Sequence, residues 1–279
     1  MSGTLYVVAT PIGNLEDISF RALRVLREVS LIAAEDTRRT AKLLQHYSIL
    51  TPTTSFHAHN EKRKQALLLN KLNNDQAIAL VSDAGTPTIS DPGALIVAAA
   101  TEAGIRVEVI PGPSAVITAI SASGLLTGAF TFVGFSPSRL KDRISWLNEL
   151  TNEERAIVFF ESPHRIRTTL EQMQHIMNDR DIVIAREMTK VHEELVKGPI
   201  SEVLKSLSSK VKGEITVVIQ PKHLSSKKKS PPTTEQIWKE FRHLTEQLGL
   251  GKRASISRIA KSHDMKSRDI YSAIVKAKT

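Results

Sequence analysis

Three stretches of this chain combine hydroxyls, glycines and prolines, the longest with carboxylates as well, in the way small-ligand sites require. The fullest is Val81-Ser82-Asp83-Ala84-Gly85-Thr86-Pro87-Thr88-Ile89-Ser90-Asp91-Pro92-Gly93, set between apolar runs at 77–81 and 94–100. A loop this rich in Gly, Pro, Asp, Ser and Thr at the carboxyl end of a strand occupies the position where open α/β sheets bind ligands. Pro111-Gly112-Pro113-Ser114-Ala115 repeats the chemistry after Val107–Ile110, and Ala9-Thr10-Pro11-Ile12-Gly13-Asn14 follows the first apolar run. Asp83 can accept hydrogen bonds from ribose hydroxyls or offset a cofactor's positive charge. Ser114 and the N–H groups near Ala115 open a helix and can hold a carboxylate or a hydroxyl. Ordinary turn and N-cap roles for Asp83, Asp91 and Ser114 are the alternative. Three such loops on one rim favour a shared crevice for a small polar cofactor.

Charged runs also follow strands. Glu35-Asp36-Thr37-Arg38-Arg39-Thr40 puts two acids at a helix start, where they suit the dipole, and two arginines, which do not. Arg38 and Arg39 are better explained by an external anion such as phosphate. His57-Ala58-His59-Asn60-Glu61 places two histidines on one strand face but offers no third ligand, so no metal is expected. Phe160–Arg165 and Arg186–Glu194 are either solvated helix faces or further cleft walls. Neither G-x-G-x-x-G nor G-x-x-x-x-G-K-[ST] occurs, so the common dinucleotide and triphosphate cradles are absent.

The elements that must position these residues alternate regularly. Strands are expected at 5–9, 30–34, 53–56, 77–81 and 106–110, with helices at 19–28, 37–46, 61–72 and 93–103, the rhythm of a mainly parallel sheet covered on both faces. Ser121–Gly124 breaks the rhythm. A second α/β unit follows, with strands at 130–134, 156–160, 182–185 and 215–219 and helices at 139–150, 163–176 and 201–207. Pro163 suits a first helical turn. The expected class is therefore α/β, two α/β domains with mainly parallel or mixed sheets and a small C-terminal helical domain. Its divisions are 1–125, 126–220, a Pro/Ser/Lys-rich linker at 221–234, and 235–279. In the last, Ile237, Phe241, Leu244 and Leu248 recur at helical spacing. Two short amphipathic helices then flank His263-Asp264-Met265, as in a helix-turn-helix or a plain helical bundle.

Charge separates these parts. The 279 residues carry 38 Lys and Arg against 29 Asp and Glu, a net of +9. Residues 222–279 hold 14 against 5, and residues 1–221 hold 24 of each. A neutral body with a basic appendage fits a catalytic unit with a polyanion-binding tail. There is no cysteine, which excludes disulfides and thiolate chemistry. No apolar run approaches the roughly 18 residues of a membrane span. With no basic leader preceding an apolar stretch, a cytoplasmic protein is expected.

Thr10–Leu15 with Asp17, Glu35–Arg38, His57–Glu61, Ser82–Gly93, Pro111–Ala115, Ser123–Leu125, Gly134-Phe135, Glu161–Arg165 and Arg186–Glu194 together resemble the tetrapyrrole methylase superfamily. The closer likeness is to its branch of 16S rRNA cytidine 2′-O-methyltransferases, over about residues 4–219. The resemblance implies S-adenosylmethionine bound in a cleft between two α/β domains, a decoding-centre cytidine of 16S rRNA or of the small ribosomal subunit as substrate, and a homodimer. A tetrapyrrole or other small-molecule methylase is the alternative. Carried over by position, the cofactor contacts are Pro11, Asp83, Thr86, Ser114 and Ala115, with Phe160, Ala185 and Glu214 from the second domain. Glu187 and Lys190, with Glu35 behind them, are the catalytic candidates for accepting the ribose proton. Arg38, Arg39 and Arg186 would hold RNA at the cleft, and Lys252, Arg253, Arg258, Lys266 and Arg268 would hold it at the tail. One departure stands out: Thr88 occupies a position where this branch usually has Gly. A positive φ there would strain a β-branched residue.

Overall fold

A computed structural model describes residues 3–125, 128–208, 210–222, 232–247, 250–262 and 265–277. The chain forms two compact units, Met1–Ser225 and Ser226–Thr279. The larger begins with five parallel strands, β1 (Thr4–Val8), β2 (Leu31–Ala34), β3 (Thr53–Ser55), β4 (Ile78–Val81) and β5 (Arg106–Ile110), in the order β3-β2-β4-β1-β5. Their side chains alternate between two cores. Ala79 and Val81 face one way, with Leu23 and Leu26 of α1 (Phe20–Glu28) and Leu43 and Leu44 of α2 (Thr37–His46). Ile78 and Leu80 face the other, with Leu68 and Leu72 of α3 (Glu61–Asn73) and Ile96 and Ala100 of α4 (Ala94–Glu102). Burial on both faces is why β4 reads as an unbroken apolar run. Ser19 caps α1 and Asp36 caps α2, each accepting a bond from a first-turn N–H.

The second sheet is mixed. Its strands β6 (Phe130–Phe135), β7 (Ala156–Glu161), β8 (Asp181–Arg186), β9 (Glu194–Pro199) and β10 (Ile215–Ile219) lie in the order β6-β7-β10-β8-β9, and only β6 and β7 run parallel. Helices α6 (Leu140–Leu150), α7 (Ile166–Met177) and α8 (Ile200–Ser206) cover one face. The other face receives α5 (Ala115–Ser123), whose Val116 and Ala119 pack with Ile12 against Val158, Val183, Ala185 and Val218. This joins the two sheets into one body.

Several expectations shift. The rhythm does not break at Ser121: α5 runs through Ser123 and stops at Gly124, φ +63. Pro163 is not in a first helical turn, because a turn at 162–165 precedes a helix that starts only at Ile166. Strand β9 was not anticipated. His57 and His59 lie in the turn after β3, not on a strand.

The smaller unit packs α9 (Thr234–Arg242), α10 (Lys252–Ser262) and α11 (Ser267–Lys276) around Ile237, Phe241, Ile259, Ala260, Ile270 and Ile274. Thr233 and Gln236 form a capping box at the start of α9. Of the expected linker, 223–231 lie outside the described residues, as do His263 and Asp264 of the expected turn. Among the described residues no helix is long and apolar enough to cross a membrane.

Candidate active site

The loops after β1, β4 and β5 meet at the carboxyl edge of the first sheet. Thr10 and Gly85 exchange backbone hydrogen bonds of 2.9 and 3.0 Å, which ties the first loop to the second. Thr86 Oγ1 donates to the Pro113 carbonyl at 3.3 Å, which ties the second to the third. Loop 82–93 holds four positive-φ residues: Gly85 (+79), Thr88 (+72), Ser90 (+68) and Gly93 (+124). Thr88, a β-branched residue, is therefore strained at this φ. The buried Glu61 carboxylate accepts from Gly93 N at 3.1 Å and fixes the loop's far end.

Two adjoining cavities result. The larger, of about 470 Å³, lies between the sheets and is lined by Glu35, Arg39, Asp83, Thr86, Asp91, Ser114, Ala115, Phe160 and Glu214. Ile12, Val116 and Ile215 make its apolar wall. Phe160 is held by an edge contact with Phe132 and a tilted one with Phe135, at ring separations of 5.0 and 5.2 Å. Its size falls within the range of about 300–1,000 Å³ typical of small-molecule sites. Ser114 opens α5 but makes no capping bond of its own, so its hydroxyl and the first-turn N–H groups are available to an anion. Glu161 also lines this cavity, yet its buried carboxylate is taken by Ser136, Thr169, Ser162 N and Arg165. It shapes the 161–165 loop.

The acidic wall was only partly legible. Glu35 accepts from Asp83 N at 3.3 Å, and Asp83 accepts from Asp36 N at 2.9 Å while its other oxygen lies 3.5 Å from Arg39 Nε. Burial, reinforced by the Asp83 charge, raises the Glu35 pKa against the opposing Asp83 N–H, Arg39 and His57. Asp91, for which a turn role was the alternative, is a half-buried member of this wall. Burial first, then the Glu35 and Asp83 charges, push its pKa up to about 6, with the Ser82 hydroxyl opposing.

The smaller cavity, of about 240 Å³, shares Ile12, Arg39, Asp83, Ala84 and Glu214 with the larger and adds Thr10, Pro11, Gly13, Thr40, Lys42 and Lys190. Lys190 Nζ donates to Glu187 Oε1 at 2.8 Å and to Glu214 Oε2 at 3.0 Å. Burial opposes the ammonium, but these two bonds outweigh it and raise the Lys190 pKa. Glu187 stands behind Lys190, takes a second bond from Glu214 N, and is lowered chiefly by the Lys190 bond. Glu187 and Thr189 adopt φ of +51 and +67, and Thr189 Oγ1 accepts from Asn14 N at 2.9 Å. Loop 187–193 is thus latched onto the first sheet at Gly13, where an added Cβ would lie 2.5 Å from Thr189 Oγ1 and 2.6 Å from Lys190 Cγ.

Most of the site residues expected in the larger unit converge here, and three do not. Ala185 is fully buried in the core under α5, paired with Thr216, and lines neither cavity. A residue of a doubly covered strand meets core on either face. Arg38 turns back onto Asp36 at 2.7 Å, which holds that carboxyl well below its usual range. Arg186 is bound by Glu194 at 2.8 Å and by the Lys212 carbonyl. In the smaller unit Lys252, Arg253, Arg258, Lys266 and Arg268 are all exposed. Among the described residues no cluster of three or more His, Cys, Asp and Glu could hold a metal. His57 instead meets Asn60 at 3.0 Å.

Known proteins resemble this chain in sequence and in fold. The family of tetrapyrrole (corrin/porphyrin) methylases matches residues 4–204. A Halalkalibacterium halodurans protein named ribosomal RNA small subunit methyltransferase I is 42% identical over 276 residues, 96% of this chain and 93% of its own. A Thermotoga maritima protein of the same name is 49% identical over 221 residues, 79% of this chain and 99% of its own. Among solved structures, the methyltransferase CobJ has a TM-score of 0.60 at 17% identity, over 79% of this chain and 95% of that one. A Thermus thermophilus uroporphyrin-III C-methyltransferase, complexed with S-adenosylhomocysteine, has a TM-score of 0.55 at 17% identity, covering 77% and 97%.

Proposed function

Because the chain belongs to the family of tetrapyrrole (corrin/porphyrin) methylases, we propose that it uses S-adenosylmethionine to methylate small-subunit ribosomal RNA, at the ribose 2′-hydroxyl of a cytidine. The observation that carries the substrate is the 42% identity, over 96% of the chain, to a relative named for that RNA. The Thermotoga relative adds a refinement. Nearly all of it aligns over 221 residues, about the length of the larger unit here, which supports placing the catalytic machinery in that unit.

The larger cavity fits the cofactor. Ser114 and the N–H groups at Ala115 suit its carboxylate, Asp83 and Asp91 its cationic groups, and Phe160, Val116 and Ile215 its adenine. Bound there, S-adenosylmethionine supplies an electrophilic methyl group on a sulfonium. The protein's part is to orient the ribose and accept its proton; positioning alone is worth roughly 7–11 kcal/mol of barrier in such reactions. Glu35 is the proton acceptor: its pKa is raised, and Oε1 is left free by the bond from Asp83 N to Oε2. Glu187 is the weaker base because Lys190 holds it ionised. Lys190 stays charged and Glu187 positions it. Arg39 lies where both cavities meet.

The smaller unit captures RNA. Lys252 opens α10, and Lys266 and Arg268 flank the start of α11, where cations oppose the helix dipole unless phosphate is present. Homodimer assembly and a cytoplasmic location belong to the same reading; light scattering tests the first. The direct test incubates the full chain with methyl-labelled cofactor and small ribosomal subunits, then digests the RNA to nucleosides. Label in 2′-O-methylcytidine is expected. Label only on a base, or only on an added tetrapyrrole, overturns the assignment.

A further inference from the structure

The smaller cavity asks for a ligand of its own. Its volume of about 240 Å³ lies below the roughly 300–1,000 Å³ that sites for drug-sized ligands need, which suits one nucleoside and not a four-ring macrocycle. Three cations line it. Lys190 has committed two of its three donors, to Glu187 and Glu214. Arg39 reaches only Asp83, through Nε at 3.5 Å, and keeps its remaining donors. Lys42 stands one turn along α2 from Arg39, exposed, with no hydrogen bond or ion pair to any described residue. Against them stand Asp83 and Glu214 on the lining and Glu187 behind Lys190, so Lys190 and Arg39 have carboxylate partners and Lys42 is the unpaired cation.

We propose that this chamber is the pocket for the extruded target nucleotide, and that Lys42, with Arg39, grips a phosphate flanking it. The proposal rests on the reading of the chain as an RNA methyltransferase and adds where the body itself holds RNA. A target inside a structured RNA must leave its stack to reach a reacting group, and flanking phosphate contacts set its register. The shared wall at Asp83, hydrogen-bonded to Glu35, brings a ribose in this chamber beside the proposed proton acceptor.

The test compares the full chain with its Lys42→Ala and Lys42→Arg variants, using small ribosomal subunits as substrate and a 16S rRNA fragment for binding. Loss of one charged phosphate contact should raise KM for the subunit about tenfold, with kcat and cofactor affinity unchanged. The slope of log affinity against log salt should shrink by about 0.7–0.9 in Lys42→Ala, and Lys42→Arg should restore both. An unchanged KM and salt slope in Lys42→Ala overturns the pocket even where the wild type methylates RNA. A wild type that transfers no methyl to RNA overturns the underlying reading instead, while the salt slope still judges Lys42.

Discussion

Asp91→Asn should stabilise the ligand-free protein at neutral pH, and the effect should vanish in acid. Asp91 is pushed from an ordinary 3.8 to about 6 by burial and by its neighbours Glu35 and Asp83. Its folded-state pKa thus exceeds its unfolded one, so the folded chain binds more protons between about pH 4 and 6 and stability falls as pH rises through that window. Above it the cost is fully present. A difference of about 2 in pKa is worth at most about 3 kcal/mol. Because the side chain is only half-buried, solvent screening reduces this to about 1–2 kcal/mol. For a unit the size of Met1–Ser225, that corresponds to a Tm gain of roughly 2–8 °C. Asparagine keeps the volume and can still meet the Ser82 hydroxyl. Thermal melts at pH 7.5 and pH 4.5 measure it: the gain at pH 4.5 should be about a third of that at pH 7.5. A lower Tm for the variant at pH 7.5, or an equal gain at both pH values, would refute the argument that the acidic wall is held against its own electrostatics.

Glu35→Gln should cut kcat by about 10²–10⁴-fold with cofactor affinity nearly unchanged, measured by single-turnover methyl transfer and calorimetry. In the wild type the rate should fall as pH drops through the raised Glu35 pKa, since only the carboxylate accepts a proton; that acid limb should be missing in the variant. Gly13→Ala drives a methyl into Thr189 and Lys190, so loop 187–193 should detach. The expected readouts are faster proteolysis of that loop and a cost of about 1–3 kcal/mol in chemical denaturation. Thr88→Gly removes a β-branched residue from φ +72. Relief of about 1–3 kcal/mol of strain, less about 0.5–1 kcal/mol of added chain entropy, should leave Tm unchanged or higher, whereas a clear fall would show that Thr88 is not strained.

Much of this architecture was legible because its cores are periodic. Helix α2 and strands β5 and β10 lie where apolar spacing put them, at 37–46, 106–110 and 215–219. Strand β9 was not legible: Glu-Leu-Val-Lys-Gly-Pro is an edge strand paired only to β8, and edge strands carry charge and proline that mask the signal. At the site, loop composition pointed to Asp83 and Ser114, and the resemblance to Thr86, but neither singled out Asp91, whose environment depends on positive-φ turns at Thr88 and Ser90. The positive φ at Thr88 was not legible from its own type, which disfavours it; only the Gly usual at this position in the resembled branch hinted at it. Arg38 misled because an Arg-Arg pair looks alike whether it binds phosphate or, as here for Arg38, its own N-cap aspartate.

The activity proposed for this protein is the transfer of one methyl group to a ribose of small-subunit ribosomal RNA. Mass mapping of 16S rRNA from cells lacking the gene, complemented by wild-type or Glu35→Gln protein, tests it most directly. A single cytidine ribose methyl should be lost, restored by the wild type and not by Glu35→Gln. An RNA whose ribose methylation is identical with and without the gene would contradict it.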